Sequence, residues 1–286
     1  MSFGNRNARC TGTSDINITR PSVKKKDTFL KAVAYTISIG LALMTTYPFI
    51  LMLIGQFRDP DSYGFDTTAK SLDSVIKYWK SFVLFFSSGS FTGFKNSVIV
   101  SVISTVLCMY VSSLTAYAIT AYEWKLREAF DKLILIVVML PSTVATVGFY
   151  QLVYKFHLIN MLSMLIIPAI ASPLTVLFMR LYLKATFSRA MVESARLDGA
   201  GEFRIFNQII LPLLKPAIAT QAIFCFVASW HNEFVPRIIL IDGAKKTLPL
   251  VGGNGSLLLS FIPPILVYAF LSRHIVEGIA LGGEKI

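Results

Sequence analysis

Charged residues and metal-binding residues are scarce in this 286-residue sequence. Charged side chains make up 15% of it, against about 25% in a typical soluble domain, which disfavours a soluble globular protein. The three histidines are far apart and the three cysteines are isolated, so the sequence predicts neither a metal site nor a disulfide framework. The phosphate-binding motif G-x-x-x-x-G-K-S/T is absent as well. These absences predict a chain that is not itself an enzyme.

Apolar residues dominate the chain instead. They make up 54% of it, and the mean hydropathy is +0.63. A membrane-crossing helix needs roughly 20 predominantly apolar residues to span about 30 Å of hydrocarbon. Six runs meet or approach that length: residues 29–56, 97–121, 133–154, 161–183, 213–235 and 256–271. The sequence therefore predicts an all-α, polytopic membrane protein with six transmembrane helices, in which residues 1–28 are a polar N-terminal arm and residues 29–286 form one membrane domain.

The distribution of lysine and arginine predicts the orientation of these helices. Six spans place both termini on the same side, and 18 of the 27 basic residues fall on that side. Because cytoplasmic loops carry an excess of lysine and arginine, both termini and the connection at residues 188–212 are predicted to be cytoplasmic. The outer loops carry nine basic residues and five aspartates. This excess favours an anionic ligand electrostatically, although a simple surface imbalance explains it as well.

The connection at residues 188–212 is polar between two long apolar runs. Its charged residues include Glu193, Arg196, Asp198, Glu202 and Arg204. Ser188 is an acceptable N-cap, and Glu193 and Leu197 share a face at i, i+4 spacing. Gly199 and Gly201 are expected to end the helix, as glycine commonly does. The segment is predicted to be a short cytoplasmic helix that a partner can approach closely; the alternative is a loop whose charges only keep it hydrated.

The order of residues in this connection resembles the loop signature of ATP-binding-cassette importer permeases. The pattern Glu-x-Ala-x-x-Asp-Gly-Ala is followed by Phe206, Ile209, Leu211-Pro212 and Pro216. The resemblance implies the type I importer permease (MetI-like) fold, in which a short cytoplasmic helix docks into an ATPase subunit. It also implies which residues make that coupling contact: Glu193, Ala195, Asp198, Gly199 and Ala200.

Other motifs resemble the carbohydrate permeases of that family, in particular the smaller partner of the maltose-type pair. They include Leu140-Pro141, Leu158-Ile-Asn160, Trp230, Pro236 and Thr247-Leu-Pro249. The segments 47–49 and 59–60 resemble a branch associated with complex and acidic oligosaccharides such as alginate and aldouronate fragments. The region between Pro249 and Pro263 looks shorter than in the maltose-type relatives.

The resemblance implies a set of partners. These are a second homologous permease subunit, two ATPase subunits that carry ATP and magnesium, an extracytoplasmic solute-binding protein and membrane lipid. No cofactor in this chain and no nucleic acid partner are expected. The implied location is the bacterial cytoplasmic (inner) membrane, as a multi-pass protein with both termini in the cytoplasm.

Polar residues in or near the spans indicate a substrate pathway. Gln151, Trp230, Asn232 and Glu233 supply the aromatic, amide and carboxylate groups that bind sugars; alternatively, they hydrogen-bond neighbouring helices. The predicted function is a permease subunit of an ATP-driven importer for oligosaccharides, with acidic ones such as alginate fragments favoured. Two alternatives remain open: an importer permease for amino acids or peptides, and an ion-driven secondary transporter.

Overall fold

A computed structural model describes residues 22–56, 90–251 and 256–283, together with residues 76, 79, 80, 83 and 86. Every regular element in these ranges is helical, which confirms the predicted all-α class. The chain divides into two compact units, Met1–Lys70 and Ser71–Ile286. Most of the predicted N-terminal arm, and the 59–60 segment, lie outside the described residues.

The helices have the following bounds. In chain order they are α1 Ser22–Gln56, α2 Ser90–Ala121, α3 Arg127–Met139, α4 Ser142–Lys155, α5 Ser163–Ile170, α6 Pro173–Thr186, α7 Arg189–Leu197, α8 Glu202–Ile205, α9 Leu211–Leu213, α10 Lys215–Trp230, α11 Phe234–Ile239, α12 Leu248–Val251 and α13 Ser256–Gly283. A π-helical turn, Phe206–Ile210, joins α8 to α9. The first unit contains α1; the other twelve helices belong to the second.

Several of these helices are long and apolar enough to cross a membrane. Among the described residues there are three such segments, Leu30–Tyr47, Phe91–Ala121 and Ser163–Thr186, and two bent helix pairs raise the number to five. These five positions match the first five predicted spans. The sixth prediction coincides with a shorter apolar helix, Leu259–Arg273. Six spans are therefore not confirmed, while a multi-pass helical membrane protein is.

A proline explains the bend in each of the two bent spans. Leu140 precedes Pro141 and is extended, with ψ 134°, because the proline ring disfavours helical backbone before it. The α3 and α4 axes consequently differ by 99°. At the second break, Pro216 has no N–H for the carbonyl of Pro212, four residues earlier. The chain there bends by 77°.

Helix α2 is the centre of the second unit. It packs against α5, α6 and α10, and α10 packs in turn against α13. One end of α2 is fastened by side-chain bonds: Asn96 Nδ2 donates to the carbonyl oxygens of Ala244 and Lys246 at 3.1 and 2.9 Å. Ser97 Oγ accepts a hydrogen bond from Leu248 N at 2.8 Å. The basic residues near this end therefore lie a full span away from the polar connection at the other end.

Asn160, in the turn after α4, bonds to the connection that follows α11. Its backbone φ of 63° is left-handed, a conformation that asparagine tolerates better than most residues. Its Oδ1 accepts hydrogen bonds from the backbone N–H groups of Ile241 and Asp242 at 2.7 and 2.9 Å. This residue, which the sequence marked as part of a motif, thus holds the connection after α11.

Candidate functional site

The predicted helix in the polar connection is α7. It runs from Arg189 to Leu197 with Ser188 at the N-cap position, as expected, although the Ser188 side chain makes no capping hydrogen bond. Val192 and Ala195 are buried on one face, whereas Glu193 is exposed on the other. The helix is therefore amphipathic and lies on the protein surface.

The end of α7 is a Schellman motif built around Gly199. The Gly199 N–H donates to the carbonyl of Arg196, and the Ala200 N–H donates to the carbonyl of Ala195, both at 3.0 Å. Gly199 has φ +79°, in the left-handed region where a side chain is strained. Gly201, which was also expected to end the helix, has φ −70° and instead occupies the N-cap position of α8.

The buried face of α7 seats the helix on the main core of the second unit. Val192 and Ala195 join a cluster that contains side chains of α2, α6 and α10. Phe206 and Ile210, both in the π-helical turn, are nearly fully buried in the same cluster. A displacement of α7 is therefore passed directly to packed side chains of three other helices.

Ala195 was predicted to allow close approach of a partner. It is only 8% exposed and packs into the core of its own chain, so its small side chain lets α7 approach that core. Glu193, Asp198 and Gly199 are exposed, and Ala200 is partly buried against the core. A contact between the predicted residues and a partner stays a prediction.

Two apolar side chains, one on each side of the Schellman turn, are exposed. The sequence did not predict this exposure. Leu197 is 89% exposed and Phe203 is 76% exposed. Contiguous apolar surface marks protein-binding sites, and these two side chains are the apolar groups that this connection offers to a partner. The i, i+4 spacing of Glu193 and Leu197 was the available signal for Leu197, but Phe203 lies outside any such pattern.

A polar groove of about 510 Å³ lies beside the start of α7. It is lined by residues of the α2–α3 connection, α3 and α6. Across it, Arg180 Nη1 forms an ion pair with Asp131 Oδ1 at 2.5 Å. Glu123, at its edge, accepts a hydrogen bond from Arg189 at 2.7 Å. The Arg189 guanidinium holds the pKa of the Glu123 carboxyl below its usual range. The Glu123 carboxyl is therefore ionised at neutral pH, and the pair joins the start of α7 to the connection after α2.

The four predicted pathway residues do not converge on one site. Trp230 is 1% exposed and donates from Nε1 to the Ser260 carbonyl at 2.8 Å, so it bridges α10 to α13. Gln151 is exposed on α4, and Glu233 is exposed and ion-paired with Arg237. These placements favour the helix-bonding interpretation for Trp230 and leave the others untested.

Asn232 lines a small polar cavity with Ser97, Ser101 and Thr247. The cavity volume is about 20 Å³, whereas pockets for organic ligands measure roughly 300–1,000 Å³. A sugar ring therefore does not fit beside Asn232 in this conformation. Within the described ranges, no group of three or more histidine, cysteine, aspartate or glutamate side chains could hold a metal ion.

A set of membrane-length helices with a capped amphipathic helix at one end defines a multi-pass membrane protein with a surface element suited to a partner. The family described as "Binding-protein-dependent transport system inner membrane component" matches residues 109–273, more than half of the chain and the whole of α7. The chain belongs to this family: it is a permease component of an ATP-binding-cassette transporter.

Similar proteins support the same assignment. The arabinooligosaccharides transport system permease protein AraQ of Bacillus subtilis is 30% identical over 86% of this chain and 92% of its own length. The lactose transport system permease protein LacG of Rhizobium radiobacter is 28% identical over 88% and 96%. Among solved structures, a chain of a bacterial ABC transporter involved in the import of the acidic polysaccharide alginate covers 87% of this chain and 97% of its own, with 19% identity and a TM-score of 0.69. That structure shares the fold.

Proposed function

We propose that this chain is one membrane subunit of an ATP-driven importer for oligosaccharides and that α7 is its coupling helix. The observation that carries the proposal is the placement of α7: one face is packed into the core, and the other face presents Glu193 and Leu197 to the surface. Family membership supplies the implied partners, which are two ATPase subunits, a second homologous permease and an extracytoplasmic binding protein. ATP and magnesium are bound by the ATPase subunits.

The mechanism follows from the packing of α7. Closure of the two ATPase subunits would displace α7, and the shared core would carry the displacement into α2, α6 and α10. Such a rigid-body shift is a common way to alternate between two packed arrangements. The docking surface would include or adjoin Glu193, Asp198, Gly199 and Ala200. Ala195 would seat α7 on the core beneath that surface.

Docking is tested by truncating the exposed face. Leu197→Ala and Glu193→Ala are each expected to weaken ATPase binding by roughly tenfold, because truncating an interface anchor costs about 1–2 kcal/mol or more. Leu126→Ala is the matched control, since Leu126 is 66% exposed but lies in the α2–α3 connection. The measurement is the affinity of the purified permease for its ATPase. Equal affinity for all three variants and the unmodified chain would reject α7 as the docking helix.

The proposed topology has six spans with both termini in the cytoplasm. In intact cells, an impermeant thiol reagent should label a cysteine placed at Lys245 but not one placed at Arg196. The reason is that the two positions lie at opposite ends of α2, and lysine and arginine are in excess at the Arg196 end. Labelling at Arg196 with protection at Lys245 would show that the proposed orientation is wrong and that the opposite one holds.

The main alternative is a permease for another solute class, such as amino acids or peptides. Family membership disfavours the ion-driven secondary transporter, which needs no ATPase. Co-purification with an ATPase and stimulation of its activity across a panel of arabinooligosaccharides, maltodextrins, alginate oligomers, amino acids and peptides would separate these functions. Stimulation by peptides and by none of the sugars would overturn the oligosaccharide assignment.

An acidic oligosaccharide is the narrower proposal. Its support is the basic excess of the outer loops and the fold shared with the alginate transporter. Electrostatic attraction is screened over about 8–10 Å near physiological ionic strength. Uptake of an alginate oligomer should therefore exceed that of a neutral oligomer of equal length at low salt, and the difference should shrink at high salt. A preference for the neutral oligomer at both salt concentrations would contradict it.

A further inference from the structure

Glu202, the first residue of α8, joins α7 to the end of α2. Its Oε1 accepts a hydrogen bond from Arg196 Nε at 2.7 Å, and its Oε2 accepts one from the Tyr122 hydroxyl. The Tyr117 hydroxyl lies 3.5 Å from the same Oε2. One carboxylate thus contacts both the last turn of α7 and two residues at the end of α2.

The tyrosines that Glu202 contacts are fixed by aromatic packing. Tyr117 is buried, and its ring centroid lies 5.5 Å from that of Tyr122, 6.3 Å from Phe187 and 5.9 Å from Phe206. Phe187 follows α6 and Phe206 follows α8. The Arg196 guanidinium lies 5.7 Å from the Tyr122 ring centroid, within cation–π range. On the α2 side, the carboxylate therefore bonds to hydroxyls whose rings pack against other aromatic rings.

A second link between the same two elements serves as a comparison. The Arg189–Glu123 pair joins the start of α7 to the residue after Tyr122, but its side chains are 58% and 72% exposed. Exposed ion pairs are screened by solvent and contribute little. Arg196 and Glu202 are themselves about half exposed, so their ion pair alone is also weak. What distinguishes Glu202 is the additional hydrogen bonding to Tyr122 and Tyr117.

We infer that Glu202 is a positioning residue for coupling: its carboxylate makes α7 and the α2 span move as one body. The inference rests on the proposed function, in which an ATPase displaces α7. Without the carboxylate, α7 keeps its apolar seat on the core but loses its polar attachment to the end of α2. Movement of α7 is then no longer delivered fully to α2.

The test measures the distance between α7 and the far end of α2 in the assembled complex with its ATPase. Spin labels at Ser194→Cys on α7 and Thr92→Cys on α2 are both at exposed positions, in a chain whose three native cysteines are replaced by alanine. At 1.5 Å per residue, Thr92 lies roughly 45 Å along the axis from the other end of α2. Pulsed EPR then gives the distance distribution with and without ATP and vanadate.

With Glu202 intact, the distribution is expected to stay narrow and unshifted when ATP and vanadate are added. In Glu202→Ala it should broaden or shift in the nucleotide-bound state. Tyr122→Phe keeps the ring and removes the hydroxyl, so it should change the distance distribution in the same direction. If Glu202→Ala does not assemble with its ATPase, the result for Tyr122→Phe alone tests the inference. Glu123→Gln is the control and should match the unmodified chain. A distance that changes in the unmodified chain, or stays narrow in both variants, overturns the inference.

Docking itself is measured separately. A second label pair, with one label at Ser194→Cys and the other on the ATPase, reports whether α7 lies against that subunit. Absence of any measurable distance in that pair would reject the proposed docking, and with it the inference. A defined distance there, together with unchanged α7–α2 distances in Glu202→Ala and Tyr122→Phe, would reject the role of Glu202 alone.

Discussion

Replacing Gly199 with valine is expected to reduce ATP-driven transport strongly while leaving the chain in the membrane. Gly199 has φ +79° at the end of α7, and left-handed backbone costs a residue with a Cβ atom roughly 1–2 kcal/mol, more when the side chain is β-branched. Valine would open the two Schellman hydrogen bonds and displace the docking face around Leu197. Uptake is expected to fall by at least about tenfold, which corresponds to ~1.4 kcal/mol. The measurement is uptake together with substrate-stimulated ATP hydrolysis.

Gly201→Val is the matched control for this substitution. At both glycines an added Cβ would meet no atom within 4 Å, so crowding is the same at the two positions. Gly201 has φ −70° and ψ 158°, which valine adopts readily. The pair of variants therefore isolates backbone conformation. If Gly199→Val and Gly201→Val transport equally well, the left-handed turn is not required for coupling.

The helical architecture was largely predictable because each span is a long apolar run. The bend at Leu140 was also predictable, since a proline restricts the residue before it. The bend before α10 was harder to predict. In the sequence, Pro212 and Pro216 are parts of a family motif. Only in a helix that runs through both residues does it matter that Pro216 cannot donate a hydrogen bond to the carbonyl of Pro212. The weakest prediction was the sixth span, because only Leu259–Arg273 was found there as a short apolar helix.

The docking helix was predictable in position and less so in detail. Ser188 and Gly199 have the local chemistry of helix ends, which depends on neighbouring residues only. Which face of α7 is buried depends on α2, α6 and α10, so Ala195 was assigned to the partner side although it packs into its own core. The role of Glu202 required knowledge that Tyr117 and Tyr122, some 80 residues earlier, lie beside it. Such long-range pairs leave no periodic signal in one sequence.

Trp230, predicted as a substrate-pathway residue, also packs inside its own chain. Its replacement by alanine is expected to destabilise the protein strongly. The indole stacks on Phe226 with ring centroids 5.7 Å apart and meets Phe94 edge-on at 5.8 Å. Removing a buried aromatic side chain costs about 3–5 kcal/mol. For a chain of this size that corresponds to a fall of roughly 6–20 °C in the unfolding midpoint, measured on the purified protein in detergent.

Two further variants distinguish packing from sugar binding at this position. Trp230→Phe keeps most of the packing and loses the hydrogen bond to the Ser260 carbonyl, so a smaller cost of about 1 kcal/mol is expected. Phe224→Ala removes a 65% exposed ring from the same helix and should change the midpoint least. If Trp230→Ala unfolded at the temperature of the unmodified chain yet failed to transport, the buried position would be wrong for the transporting state. Trp230 would then be required for transport and not for folding, and its contact with the solute would become the hypothesis to test.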